Sequence, residues 1–193
     1  MVLTVPPDAT DTKRRILAAA RVEFARFGLA GARIDRIADD AHANKRSIYM
    51  HFGPKEQLFD LTVAQALTEL SDAVPFTPDD LPDYAGRLFD QLLQDPAVLR
   101  LSTWANLERP EATSGEIGAY RPKIEALREH SDGDAADLLA LVLGLATAWF
   151  NASPSLQALA DDPTSRRRLD THRAAMIAAV AALCREIAPP TDR

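Results

Sequence analysis

Lys45, Arg46, Ser47, Tyr49 and His51 crowd one short stretch of the chain, and among them Ile48 and Phe52, four apart, are the pair expected to face in. At helical spacing Ile48 and Phe52 point the same way and the polar set points elsewhere. Ammonium, guanidinium, hydroxyl, phenol and imidazole groups on a two-turn helix suit phosphate oxygens and base edges. The apolar surface is too small to build a core but large enough to seat the helix on one. The remaining chemistry-bearing residues support no catalytic constellation. His42, His51, His130 and His172 lack metal-ligand spacing, no glycine-rich phosphate loop is present, and Cys184 has no local partner. An enzyme is therefore not expected, and neither is a cofactor or metal. A single cysteine also rules out an intrachain disulfide framework.

The elements that must hold this helix are legible on either side of it. Asn44 suits its N-cap and Gly53-Pro54 its end, with Pro54 at the start of the next helix. A helix over about Ile34–Ala41 precedes it, with Ile34, Ile37, Ala38 and Ala41 inward. Before that, a helix capped by Asp11 or Thr12 carries Ile16, Leu17, Ala20, Phe24 and Phe27, and Gly28 stops it. The helix after Pro54 places Leu58, Phe59, Val63, Leu67 and Leu70 at helical intervals. Further helices are expected over Tyr84–Leu93, Ala97–Arg109, Arg121–Glu129, Asp134–Ala152 and Thr164–Ile187, with Pro110–Gly118 as a loop. No strand alternation appears, so the fold class is all-α. The expected division is an N-terminal arm (1–10), a three-helix DNA-binding domain (11–59) and a larger helical bundle (60–193).

Charge follows the same division. The chain carries a formal net charge of -6, yet residues 13–55 hold ten Lys/Arg against four Asp/Glu, and residues 61–193 hold twelve against twenty. A basic module on an acidic body confines attraction for polyanions to one end. No basic-then-apolar leader opens the sequence. The near-continuous apolar run Leu138–Phe150 has 13 residues, short of the roughly 20 a membrane helix needs. A cytoplasmic location without a membrane partner is the expectation.

The pieces TKRRILAAARVEFARFG, IDRIADDA and ANKRSIYMHFGPKEQLF closely resemble the DNA-binding domain of the tetracycline-repressor (TetR) family. The resemblance implies a transcriptional regulator, most simply a repressor, that binds a palindromic double-stranded operator as a homodimer and is released by a small effector. It implies that Lys45, Arg46 and Ser47 open a recognition helix that enters the major groove. Tyr49, His51 and Lys55 would hold the DNA backbone, with Arg33 and Asn44 beside them. Two positions depart from the pattern. His42 stands where the turn usually has Gly and must either tolerate a positive φ or shift the turn, and Arg33 stands where Ser or Thr often caps the second helix.

For the larger domain, a mostly hydrophobic effector is expected in a pocket lined by Phe89, Leu93, Trp104, Leu107, Leu127, Leu145 and Trp149. Glu108, Tyr120 or Asn151 would supply its hydrogen bonds. The helices Asp134–Ala152 and Thr164–Ile187 have surplus apolar surface, and their pairing about a two-fold axis matches the family's dimer. The expected seam comprises Leu141, Ala148, Leu169, Met176, Ile177, Val180, Leu183 and Cys184. The competing possibility is an architectural or non-specific DNA-binding bundle without an effector, which leaves an acidic domain of this size without a purpose.

Overall fold

A computed structural model describes residues 9–130 and 134–187. Among these residues it has ten helices and no strand: α1 (Ala9–Gly31), α2 (Ile34–Asp40), α3 (Lys45–Phe52), α4 (Lys55–Ala73), α5 (Leu81–Gln94), α6 (Ala97–Glu108), α7 (Ser114–His130), α8 (Ala135–Asn151), α9 (Pro154–Gln157) and α10 (Arg166–Ile187). Most of the expected N-terminal arm, residues 1–8, lies outside the described residues.

Packing groups the helices differently from the motif boundary drawn at 59/60. Of the described residues, one compact unit holds those up to Leu70 together with Asp95–Ala119, and the other holds Ser71–Gln94 and those from Tyr120 onward. In the first unit, Ile16, Ala20 and Phe24 of α1, Ile37 of α2, Ile48 of α3, Leu58 and Phe59 of α4, and Leu101 of α6 are fully buried. Phe24 and Phe59 meet edge to face with centroids 5.0 Å apart. Helices α2 and α3 have seven and eight residues, too few to persist alone, so this shared core is what makes them helical.

The second unit is built on α5, α8 and α10. Leu81, Tyr84, Leu88, Phe89 and Leu92 of α5, Leu138, Leu139, Val142 and Ala146 of α8, and Met176 and Val180 of α10 form its core. Gly86 lets α10 approach α5, since a Cβ there would lie 2.9 Å from Arg173 Nη2 and 3.0 Å from Ile177 Cδ1. Arg173 Nε also donates to Asp90 at 2.8 Å.

One local expectation changes. The segment Pro110–Gly118 is not all loop, because α7 starts at Ser114. Thr113 and Glu116 form a reciprocal cap there. Thr113 N and Oγ1 donate to Glu116 Oε2 at 3.2 and 2.8 Å, and Glu116 N donates to Thr113 Oγ1 at 3.3 Å. At the start of α10, Arg168 stacks on Trp149 at 4.1 Å.

Candidate nucleic-acid interface

Helix α3 sits as its sequence demands. Ile48 and Phe52 are buried, and Asn44 Oδ1 accepts from Arg46 N at 2.8 Å, capping the helix. Its stop is Gly53, at φ +74, whose N–H donates to Tyr49 O at 3.0 Å. In the turn between α2 and α3, His42 adopts φ +48, the positive angle its position requires.

Outward from this frame, Arg46 is exposed with no partner among the described residues, and Tyr49 keeps 46 % of its surface exposed. Ser47 and His51 are half-buried beside them, and His51 lies edge-on to Phe52. Lys45 is exposed but engaged, with Nζ 2.7 Å from Asp35 Oδ1 of α2. That hydrogen bond and the aspartate charge raise the lysine pKa. Arg33 is exposed at the N-cap of α2 and makes no side-chain cap, as its departure from Ser or Thr implies. Six of the eight expected DNA-facing residues thus lie on or immediately before α3.

Lys55 is held by the protein itself. Its ammonium is half-buried and donates to Ala32 O at 3.2 Å and Ala30 O at 3.4 Å. It braces the α1–α2 connection and has at most one N–H left for a phosphate.

Other charged residues that the sequence did not single out do similar work. Glu23, only 4 % exposed, accepts from Arg33 N and Arg36 Nε, both at 2.8 Å. Arg36 also stacks on Phe27 at 4.3 Å. Arg15 donates to Ala41 O at 2.8 Å, placing a cation on the last carbonyls of α2. Arg21 pairs with Glu69 and Asp95. The basic excess of residues 13–55 is therefore partly structural, and Lys13, Arg26, Arg33 and Arg46 remain exposed to solvent.

Two profiles of known families match. "Bacterial regulatory proteins, tetR family" covers residues 16–62, and "Tetracyclin repressor-like, C-terminal domain" covers residues 80–181. The chain is 37% identical over 161 residues to the HTH-type transcriptional repressor SCO4008 of Streptomyces coelicolor, covering 78% of this chain and 83% of that one. It belongs to the TetR family. This TetR-family chain is also 32% identical over 135 residues to the HTH-type transcriptional repressor NicS of Pseudomonas putida, 61% of this chain and 64% of that one. The crystal structure of the putative transcriptional regulator SCO4942 from Streptomyces coelicolor superposes with a TM-score of 0.76 at 37% identity, over 89% of this chain and 97% of the other. As a TetR-family member, the protein is a helix-turn-helix DNA-binding transcriptional regulator. Among its described residues no single helix is long and apolar enough to cross a membrane.

The residues expected to line an effector pocket divide between the two units. Trp104, Leu107 and Glu108 lie on α6 in the first unit, where Leu107 is 71 % exposed. Trp104 and Glu108 face Gly28 of α1, and the Glu108 carboxylate accepts from Leu29 N and Ala30 N. Glu108 is thus a backbone cap and not a free group awaiting a ligand. In the second unit Phe89 and Leu127 are buried, Leu145 and Trp149 are half-buried, and Leu93, Tyr120 and Asn151 are exposed. Phe89 packs against Phe150 and His172 at 5.3 and 5.6 Å, and Trp149 meets His172 at 5.6 Å. Burial holds the His172 pKa below the ordinary histidine value, with Arg168 adding to the effect. Burial likewise pushes Tyr84 up to about 12 and lowers Lys123, whose Nζ lies 2.9 Å from Ser71 Oγ. An open cleft of about 520 Å³ runs between α5 and α10, lined by Asp90, Leu93, Gln94, Arg166, Leu169, Asp170 and Arg173, and it is largely charged.

The expected dimer seam needs correction at two positions. Met176 and Val180 are 4 % and 0 % exposed within the single chain, so they belong to its own core. Their larger side chains seat α10 on α5 and α8, and the smaller Ala174, Ala175, Ala178, Ala179 and Ala182 are left on the outer face. On α8, Leu141 and Ala148 are exposed with Gly144 between them. Leu169, Ile177, Leu183 and Cys184 are half-buried, and burial raises the Cys184 pKa.

Proposed function

We propose that the protein is an effector-responsive repressor that binds a palindromic operator as a homodimer, with residues 11–59 contacting DNA and residues 60–193 serving dimerisation and effector binding. The observation that carries this proposal is α3. A capped helix, pinned by Ile48 and Phe52, presents the Arg46 and Tyr49 side chains to solvent with no side-chain hydrogen bond among the described residues, next to Lys45 and Ser47. Arg46 and Ser47 suit base edges, and Arg33, Lys45 and Tyr49 suit phosphates. The repressor names of SCO4008 and NicS favour repression over activation.

Two copies are inferred from the outer faces of α8 and α10. Leu141, Gly144 and Ala148 recur at i, i+3 and i+7, and Ala175, Ala178 and Ala182 do the same. Small residues in these registers let helices approach closely, and their burial by a second copy would remove apolar surface from water. A small, mainly apolar effector in the larger domain is supported by the match of residues 80–181 to the family's C-terminal domain and by the aromatic group Phe89, Trp149 and Phe150. A cytoplasmic location follows from access to DNA.

Selection of duplexes from a random pool by the full chain tests the proposal. Enrichment of an inverted repeat, bound by two chains per site, is expected. Diffuse binding of all duplexes with no enriched repeat would refute it and favour an architectural protein. Titration of Trp149 fluorescence with apolar amines and carboxylic acids tests the effector.

A further inference from the structure

We propose that Glu108 of α6 is a positioning residue for the DNA-reading helix, acting through the backbone of residues 28–33. This rests on the assignment of α3 as the DNA-reading element.

Gly28, at φ +68 and ψ -175, breaks the helical path of α1. Any Cβ at this position would lie 2.8 Å from two Trp104 ring atoms and 3.0 Å from Glu108 Oε1. Trp104 and Glu108 are four apart on α6 and so reach the same point on α1. Beyond the break the chain makes one further turn, with Ala32 N donating to Gly28 O at 3.2 Å. Leu29 and Ala30 supply the first N–H groups of that turn, the position at which a helix start leaves donors for a cap to take. The Glu108 carboxylate takes both: Leu29 N donates to Oε2, and Ala30 N lies 3.3 Å from Oε1. It is an N-terminal cap supplied by another helix, and its negative charge suits the positive end of the turn.

The same six residues are held on their other sides by the first four helices alone. Lys55 donates to the carbonyls of Ala30 and Ala32, Arg36 donates to Gly31 O at 3.0 Å, and Glu23 accepts from Arg33 N. Helix α2 begins at the next residue, Ile34, and α3 packs on α2. The direction in which α3 projects therefore depends on a segment two of whose amides, those of Leu29 and Ala30, donate to Glu108. Glu108 comes from the part of the chain, Asp95–Ala119, that returns to pack with this unit.

Removing a carboxylate from a DNA-binding protein should by charge alone strengthen binding to any duplex. A positioning role predicts the opposite, so the sign of the effect separates the two. The test uses full-length wild type, Glu108→Ala and Glu108→Gln, a duplex selected from a random pool by the wild type, and a random duplex of equal length. Glu108→Ala is expected to lose about tenfold in affinity for the selected duplex, the order expected for loss of a charged cap. Its affinity for the random duplex should be unchanged or slightly raised by the lost negative charge, and its salt dependence should stay close to wild type. Glu108→Gln keeps one acceptor oxygen and should recover most of the loss. Hydrogen exchange on the wild type should show the Leu29 and Ala30 amides as slow as those of α1, and on Glu108→Ala markedly faster. Unprotected amides in the wild type, or Glu108→Ala binding the selected duplex as tightly as wild type or more tightly, would overturn the proposal. Failure of the wild type to select any duplex would overturn the regulator assignment and this proposal with it.

Discussion

Around α2 and α3, helices of seven and eight residues seated on an apolar core are in addition pinned by charged side chains that end on backbone atoms: Arg15 on Ala41 O, Glu23 on Arg33 N, Lys55 on Ala30 and Ala32 O, Glu108 on Leu29 and Ala30 N. The helices α5, α8 and α10 run 14, 17 and 22 residues and are held by large apolar side chains from Leu81 to Val180, with Arg173–Asp90 a lone ion pair between α5 and α10 among the described residues. Apolar burial resists separation but tolerates small sliding, because the hydrophobic effect has no direction. Hydrogen bonds to specific carbonyls and amides fix direction, because they weaken steeply when misaligned. A short helix that must meet bases in register needs the second kind of restraint. A bundle that must stay folded needs mainly the first.

The sharpest way to break this contrast is a charge in the apolar unit. Val180→Glu places a carboxylate at a fully buried position and should cost about 3–5 kcal/mol. The expected outcome in urea unfolding is loss of the fold of the second unit, not a folded monomer. A charge on the outer face, as in Ala178→Glu, should leave the fold intact and disrupt only the dimer, read by sedimentation. In the first unit, Glu23→Ala leaves the Arg33 amide and the Arg36 guanidinium without their acceptor. It should cost about 2–3 kcal/mol, and operator binding should fall even where the protein remains folded. Arg33→Ala removes an exposed cation whose side chain makes no hydrogen bond or ion pair among the described residues. Its effect should be confined to DNA, weakening all duplexes alike and lowering the salt slope by about 1 per head.

The smallest effect concerns pH. The folded protein holds His172 with a depressed pKa because burial disfavours the imidazolium. The unfolded chain therefore binds its proton first, and stability is lost as pH falls from about 6.5 toward the folded value. Replacing His172 with Phe should flatten the acid side of the stability profile, measured by urea midpoints between pH 7 and 5.

Features legible in the sequence are those whose partners are close along the chain. The Asn44 cap, the Gly28 stop, the Gly53-Pro54 break, the positive φ at His42 and the Ile48–Phe52 pair all follow from neighbours within a few residues. The braces escaped notice because each joins residues far apart, Lys55 to Ala32 and Glu108 to Leu29, and a charged residue on an amphipathic helix looks the same whether it meets water or a carbonyl. Trp104 and Glu108 looked like ligand-pocket residues for the same reason. On α10, an alanine-rich helix with apolar residues on more than one face, spacing alone could not say which face turns inward. Side-chain volume decides it, with Met176 and Val180 in and the alanines out. The start of α7 was available in Thr113-x-x-Glu116, but Pro110, Gly115 and Gly118 obscured it.

The claim that α3 reads DNA is tested most directly by repeating duplex selection with Arg46→Ala. An Arg46 that donates to a base edge contributes roughly 1–3 kcal/mol of discrimination at its position. The account predicts that the wild type selects an inverted repeat and that the variant selects the same repeat relaxed at one base pair in each half-site, symmetrically about the centre. An unchanged motif, or a uniform loss of affinity with every position equally specified, would contradict it.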